Sequence, residues 1–243
     1  VIDNSVFGVT GPVDGYRQNV SITASPGWKD DFKFQTMKID ARKYWRIGRD
    51  YTIALRGFFG SSQGKNAQKF FLGGTPYLLT DFQSGSTNGV SDQSSYRSVI
   101  ADTSNSNIIT DVYFTEYAFP MRGARFAERI GTYAALFNFE VRFPFINYLA
   151  LGFPLKLVLG NIRGHAFMDI GAAWDNNNEF SNNSWPDKYG SNNLGNFSPW
   201  VVTTGLGAKI NLGYFLLRIE TAWDRNPGGY SKPQWYLSLG PDW

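Results

Sequence analysis

Residues 135–145 have the sequence Ala-Leu-Phe-Asn-Phe-Glu-Val-Arg-Phe-Pro-Phe. Bulky apolar side chains occupy every second position of this stretch, and most positions between them are polar or charged. Successive side chains of a β-strand point to opposite faces. One face would carry Phe137, Phe139, Val141, Phe143 and Phe145, and the other Asn138, Glu140 and Arg142. The pattern predicts a long strand with one apolar and one charged face.

The same alternation recurs along the chain, most clearly at 165–174, 200–212, 214–224 and 233–243. Apolar residues at helical spacing are almost absent. We predict nine or ten strands, including one around 108–118, with residues 1–8 as the tail of a strand that began upstream. Many are about 10–13 residues long, which exceeds the usual length of about 5–6 and suits a membrane-spanning strand of about 9–11 residues plus overhang. Aromatic residues near the predicted strand ends are typical of interfacial girdles; they are Trp28, Tyr44, Trp45, Tyr148, Trp174, Trp200, Trp223, Tyr230 and Trp235.

The composition excludes several classes of protein. The 243 residues include no Cys and one His, which excludes a disulfide scaffold, a thiolate metal site and a two-His zinc site. No 18-residue run is free of charged and polar groups, so a transmembrane helix is not expected. The net charge of +3, with acidic residues interspersed, offers no nucleic-acid-binding patch. We expect neither a nucleic-acid partner nor a metal or other cofactor.

Alternating strands are compatible with two all-β architectures. A soluble β-sandwich or lipocalin-like barrel also alternates, but its wet face is usually rich in Lys, Glu and Thr. Here the second face mixes paired charges with Gly and aromatic residues, which suits a packed polar lumen. The alternation therefore favours an antiparallel transmembrane β-barrel.

The connections fall into two length classes. Short turns are predicted around 25–31, 46–50, 213 and 226–233. Two connections are long and polar. We predict one long extracellular loop at 75–120 and a second, Asn-rich one at 175–199, because outer-membrane barrels have short turns on the periplasmic side and long loops outside.

An Arg-Gly element, Met121-Arg122-Gly123, follows the first long loop. Glycine permits a tight turn with positive φ, which would let the loop fold back and project Arg122 inward. A buried guanidinium needs a carboxylate partner. Alternation places Glu140 and Asp169 on the inner faces of two later strands, and Gly171 would leave room there for a close backbone approach.

Three weaker signals favour structural interpretations. Residues 60–64 match the Gly-x-Ser-x-Gly nucleophile pattern but lack its strand–turn–helix context, so no catalytic residue and no enzyme activity are expected. His165 is interpreted as a hydrogen-bonding lumenal residue rather than a pH sensor. Residues 175–179 are oxygen-rich but lack an EF-hand pattern, which favours a solvated loop over a Ca²⁺ site.

Several stretches together resemble the BamA/TamA-type superfamily of outer-membrane assembly and translocation barrels, also called the bacterial surface antigen family. They are Phe70-Phe71-Leu72-Gly73-Gly74, Met121-Arg122-Gly123, the segments 131–144 and 164–174, Gly205-Leu206-Gly207-Ala208-Lys209 and the final strand. In that family the Gly-Gly and Arg-Gly elements stand close together, so this chain resembles a member with an insertion between them.

The resemblance implies a fold and a location. The family's Arg-Gly loop folds into the lumen and pairs with acids on the next two strands, a role that falls here on Arg122, Glu140 and Asp169. The family barrel has sixteen strands. Residues 1–243 would then be the C-terminal portion of such a barrel, with earlier strands and any periplasmic domain upstream, in a bacterial outer membrane or an organelle equivalent.

Two functions remain open at this stage. The resemblance implies a barrel that inserts or translocates proteins or lipids through a gated seam without covalent chemistry, with outer-membrane lipids and outer-membrane proteins as partners. The seam strand would be 233–243, with Trp235, Leu237 and Leu239 on one face and Pro233 and Pro241 limiting its ladder. The alternative is a passive pore or a structural barrel that anchors a larger outer-membrane complex. A soluble β-sandwich binding module is a third, weaker hypothesis.

Overall fold

The computed structural model describes residues 1–28, 31–75, 78–83, 116–124, 129–152, 157–175, 200–212, 215–226, 229–230 and 232–240. Every regular element in these ranges is a β-strand. The strands are β1 (Ile2–Asp3), β2 (Val6–Gly8), β3 (Gly11–Trp28), β4 (Asp31–Ile47), β5 (Tyr51–Gly64), β6 (Phe70–Leu72), β7 (Leu78–Gln83), β8 (Glu116–Phe119), β9 (Arg129–Gly131), β10 (Tyr133–Leu151), β11 (Leu157–Trp174), β12 (Trp200–Asn211), β13 (Leu216–Asn226), β14 (Gly229–Tyr230) and β15 (Gln234–Gly240).

The long strands form one antiparallel sheet. Its main path runs β1-β3-β4-β5-β10-β11-β12-β13-β15-β7. Outside this path, β2 pairs with β3 and β14 pairs with β13. This confirms the prediction of an all-β, antiparallel fold with about ten strands. The path is open in the described part of the chain, since β1 and β7 end it and do not pair with each other.

The alternation of the sequence decides which face of the sheet is buried. In β5 every even-numbered residue from Thr52 to Ser62 is buried, and the odd-numbered residues are exposed or half-buried. The same holds in β10 up to Arg142. Arg142 donates a hydrogen bond to the Pro12 carbonyl (2.7 Å), although β4 and β5 separate their strands in the sheet. The sheet is therefore curved, and its concave side is called the inner face below.

The connections give the sheet two different ends. Short connections join β4 to β5, β10 to β11 and β12 to β13 at the short-turn end. The connections from β5 to β10 and from β11 to β12 lie at the opposite, long-loop end. The short connections from β3 to β4 and from β13 to β15 also lie at that end, so the predicted separation of short turns from long loops is only partial. The long-loop predictions fall largely on residues 84–115 and 176–199, which lie outside the described residues.

Pro144 lies inside the long strand β10, where a residue without an N–H group cannot donate to the ladder. The pairing register with β11 shifts between Pro144 and Ile146. Prolines inside sheets are confined to edges and bulges, so the Phe-Pro-Phe sequence ends the regular part of the β10–β11 ladder near the short-turn end.

Part of the β5–β10 connection folds back against the inner face. β6 pairs in parallel with β8 and antiparallel with β9. An apolar cluster joins this small sheet to the strands around it; its members are Phe58, Phe70, Leu72, Met121, Ala124, Ala134, Leu136, Ala173 and Val201. The loop is thus bound by apolar burial at the long-loop end of the inner face.

Three details differ from the sequence predictions. Residues 1–8 form two short strands, β1 and β2, rather than the tail of one strand; between them Asn4 exchanges hydrogen bonds with the backbone of Tyr16. Tyr44 is 1% exposed and belongs to the inner face, so its assignment to an aromatic girdle was wrong. The strand predicted around 108–118 is seen only as β8, since 108–115 lie outside the described residues.

Candidate functional site: a buried charge network

Arg122 lies at the centre of the inner face. Its backbone N–H and its Nε both donate to Asp169 Oδ2 (3.1 Å each), and Nη2 donates to Asp169 Oδ1 (3.0 Å). Arg122 is 4% exposed and Asp169 is fully buried. This two-oxygen contact is the bidentate geometry in which a guanidinium binds a carboxylate most strongly. It ties the loop to the middle of β11.

Glu140 on β10 is the second partner of Arg122, and it is shared. Arg122 Nη1 donates to Glu140 Oε2 (2.6 Å). The other oxygen, Oε1, accepts from Arg142 Nε and Lys209 Nζ, each at 2.6 Å. Glu140 is fully buried, so three cations from the loop, β10 and β12 converge on one carboxylate shielded from water.

Glu220 on β13 completes the network. Its Oε1 lies 3.5 Å from Arg122 Nη1 and 2.8 Å from His165 Nε2. His165 and Glu220 are both buried. Arg122 thereby lies within ion-pair distance of carboxylates from three strands, which ties the loop to a continuous stretch of the sheet.

An aromatic ring supports the guanidinium from one side. Arg122 Cζ lies 3.7 Å from the centroid of the Phe167 ring. Phe167 is buried next to Asp169 on the inner face of β11. A desolvated cation over an aromatic face is attracted by the ring quadrupole, with a typical contribution of about 2 kcal/mol.

The glycine of the Arg-Gly element fits its place for two reasons. Gly123 has a φ of +82°, a conformation that other residues adopt only with strain. A Cβ at this position would also lie 2.7 Å from Ala222 Cβ and 3.3 Å from Thr203 Cβ. The turn therefore approaches β12 and β13 more closely than a side chain would allow.

The Gly-Gly and Arg-Gly elements are neighbours in space. Met121 N donates to the Gly74 carbonyl (3.1 Å), and Gly74 N donates to the Ala124 carbonyl (3.2 Å). The long insertion between them in the sequence leaves from and returns to this one point. The pairing holds the Arg122 turn in position regardless of the length of the insertion.

Gly171 makes room for side chains rather than for a backbone approach. A Cβ there would lie 2.7 Å from Leu72 Cδ2 and 3.1 Å from Met121 Sδ. Leu72 and Met121 are both fully buried, so neither can move aside without opening a cavity. Gly171 thus leaves the space that Leu72 and Met121 fill, and their burial there anchors the loop.

We expect Gly171→Val to loosen this anchor and to lower the free energy of barrel unfolding by about 1–3 kcal/mol, the usual effect of overpacking. The measurement is the midpoint of thermal unfolding in detergent, followed by circular dichroism. Gly160→Val on the same strand is the matched control, since a Cβ there meets only Asn147 O at 3.9 Å. Equal effects of the two changes would contradict the role of Gly171.

A second charge cluster lies further along the inner face. Arg42 and Arg56 each place Nε and Nη2 on the two oxygens of Asp40, at distances between 2.8 and 3.2 Å. Arg142 lies between the two clusters: it pairs with Glu140, and its Cζ lies 6.0 Å from the ring centroid of Tyr44, which follows Arg42 on the inner face of β4. The inner face of β4, β5 and β10 therefore carries charged side chains that form ion pairs with one another.

Sequence reasoning brought together Arg122, Glu140 and Asp169, and the structure places the three in contact. It missed Lys209 and Glu220. The available signal was the alternation itself, which puts both residues on charged strand faces. It could not say that these faces meet at Arg122, because the strands are distant in the chain.

Residues 60–64 form the end of β5 rather than a strand–turn–helix elbow. Asp175 accepts a hydrogen bond from Thr132 N (2.8 Å), while 176–179 lie outside the described residues. In β15, Trp235 is exposed and Leu237 and Leu239 are half-buried on the outer face, and Tyr236 and Ser238 point inward.

The family is decided by a match across nearly the whole chain. The Omp85 superfamily domain matches residues 8–243. The chain belongs to the Omp85 superfamily. No curated protein matches the chain. Membership agrees with the resemblance drawn from the Gly-Gly, Arg-Gly and final-strand stretches.

Omp85 membership carries three general consequences. It implies an outer-membrane location. It places the chain among proteins that assemble or translocate other proteins at that membrane, and the family's members are transporters and assembly factors rather than enzymes. No helix in the described part of the chain is long and apolar enough to cross a membrane.

Proposed function

We propose that this Omp85 chain inserts or translocates outer-membrane polypeptides through a gated seam at β15, without covalent chemistry. One observation carries the proposal. The edge of β15 that faces away from β13 is paired with β7. β7 is a short strand from the insertion between the Gly-Gly and Arg-Gly elements. The loop therefore adds a strand to the edge that a substrate strand would use.

The β15–β7 ladder is short compared with the ladders between the long strands of the sheet. It comprises five residue pairs, with a register shift between Leu237 and Ser238. The β10–β11 ladder has 17 pairs. Because ladder hydrogen bonds supply the affinity in strand addition, β7 is the partner of β15 that a longer incoming strand would displace most readily.

The opposite edge of β15 is held more firmly. Its seven residues pair with β13 from Gln234 to Gly240, and β13 carries Glu220 of the Arg122 network. The network would hold β10, β11 and β13 in fixed positions relative to one another. Only the pairing between β15 and β7 would then open to admit another strand. The long connections at 75–120 and 175–199 would then face the cell exterior.

The passive-pore alternative is less well supported by the inner face. The apolar loop cluster and the Arg122 network both occupy the space that a water-filled channel would need. An anchoring role for the barrel would not require an exchangeable strand at β15. The test of the proposal is therefore made at this pairing.

The chain has no Cys, so two introduced cysteines can form a disulfide only with each other within one molecule. Thr80 lies opposite Leu237 in the ladder, and we expect Thr80→Cys with Leu237→Cys to cross-link under mild oxidation. The locked protein in proteoliposomes should lose most of its ability to accelerate folding of an unfolded outer-membrane barrel protein, and reduction should restore it. A synthetic peptide of residues 232–243, added before oxidation, should lower the cross-linking yield.

Thr80→Cys with Leu239→Cys is the matched control, because Leu239 lies outside the β7 ladder. It should cross-link poorly and remain active in oxidant. A locked barrel that accelerates folding as well as the reduced one would refute the gated seam. Failure of the Thr80 pair to cross-link would remove the observation on which the proposal depends.

A further inference from the structure

Lys43 is a cation on the outer face of the sheet. It lies on β4 between Ala41 and Trp45, one residue from the buried Tyr44. It is half-buried, and its position is close to the short-turn end, where β4 ends at Ile47. In an outer-membrane protein this face is turned towards lipid, where an unpaired ammonium is unfavourable.

Two aromatic rings flank the ammonium, and no carboxylate of the described residues does. Lys43 Nζ lies 5.7 Å from the ring centroids of both Tyr16 and Trp45. Within the described ranges no acidic side chain lies within ion-pair distance of it. Asp40, the acid nearest in sequence on β4, is bound to Arg42 and Arg56 on the inner face. The cation is thus positioned but lacks an anion.

A groove begins beside Lys43 and continues along the outer face. Its first part has a volume of about 390 Å³, and its lining includes Tyr16, Ala41, Arg42, Lys43, Leu55 and Gly57. Its second part, of about 350 Å³, is lined by apolar residues that include Ile39, Phe59, Ala135 and Phe137. Gly57 lines both parts, so the two form a path that is polar at one end and apolar at the other.

Gly57 lies where the two parts of the groove meet. It pairs with Ala41 on one side and Phe137 on the other, so the strand next to it also offers a small side chain. A Cβ at Gly57 would meet nothing within 4 Å. The notch is therefore open space, and no neighbouring side chain requires glycine at this position.

We propose that this groove binds one glycerophospholipid, with the phosphate against Lys43 and an acyl chain along the notch at Gly57. Charge complementarity supports this ligand, because the ammonium lacks an anion and the groove beyond it is apolar. The aromatic pair suits the boundary between headgroup and hydrocarbon, where Tyr and Trp concentrate. The inference depends on the outer face meeting lipid and is independent of the seam.

The test is native mass spectrometry of the full-length protein in detergent, titrated with phosphatidylglycerol. We expect one lipid to be retained. Lys43→Gln should weaken its affinity about tenfold, equivalent to about 1.4 kcal/mol, because the charge-assisted contact with the phosphate is lost. Gly57→Leu should weaken it by filling the groove, and Lys43→Arg should bind like the unchanged protein.

Lys33→Gln is the matched control, because Lys33 lies on the same strand and the same face at the opposite end, and is exposed. It should leave lipid retention unchanged. Equal retention by Lys43→Gln and Lys33→Gln would overturn the proposal, as would the absence of a retained lipid in the unchanged protein. Binding of inorganic phosphate as tight as that of the lipid would show an anion site instead, and would also overturn it.

Discussion

Arg122→Glu is expected to destabilise the barrel more than any other single substitution in the buried charge network. The new carboxylate would face Asp169, Glu140 and Glu220, all of which are buried. Breaking a buried ion pair by removing one partner typically costs about 3–5 kcal/mol, because the remaining charge has no compensation. The measurement is the midpoint of thermal unfolding in detergent, together with the loss of the folded band in unheated gel electrophoresis.

A second substitution distinguishes the charge effect from general damage to the loop. Adding Asp169→Arg to Arg122→Glu should restore part of the lost stability, since it re-forms an ion pair with exchanged signs. Restoration would be incomplete, because an arginine at 169 cannot accept the hydrogen bond from the backbone N–H of residue 122. Arg46→Glu is the control: Arg46 is exposed, and among the described residues its one hydrogen-bond acceptor is the Arg49 carbonyl. A silent Arg122→Glu would show that Arg122 has no bracing role.

Glu140→Gln is expected to produce the second-largest effect. The change keeps the size of the side chain but removes the charge that Arg122, Arg142 and Lys209 share. Three buried cations would then lose a common anion, so we expect a loss of about 3–5 kcal/mol. Unfolding in urea after reconstitution into lipid vesicles measures the difference.

The matched control is Asn138→Asp, which adds a charge to the same strand and face at a buried position. It should destabilise through desolvation, and lowering the pH should relieve its effect by protonating the new carboxyl. Glu140→Gln should show no such relief. If additional Lys209→Met restores stability to Glu140→Gln, the excess of cations is the cause. If it lowers stability further, the shared-anion interpretation is wrong.

Much of the fold was predictable because its signal is local. The alternation in 135–145 depends only on the period of two along a strand, and it correctly assigned both faces of β10 up to Arg142. The same rule put Asp169 on the inner face of β11 and Ile170 on the outer. Tyr44 was misassigned only because its closeness to a strand end was weighted above its position in the alternation.

The candidate site was predictable only in part. The sequence pointed to Arg122, Glu140 and Asp169, helped by the resemblance to a known family. Lys209 and Glu220 were missed because their contacts, with Glu140 and Arg122 respectively, require β10 to β13 to curve around the loop. The pairing of β7 with β15 was missed for a related reason. The sequence of residues 78–83 does not indicate which strand they pair with, and β15 is distant from them in the chain.

The amino-acid sequence by itself determined the fold class and the face on which the charges of the regular strands lie, but it underestimated the length of β3, β4, β10 and β11, which have 17–19 residues. These properties follow from side-chain periodicity, which neighbouring residues define. The tertiary structure decided which charges share a partner, where the loop is anchored and which strand covers the edge of β15. Those contacts join residues from separate strands, and only the curvature and order of the sheet bring them within hydrogen-bonding distance.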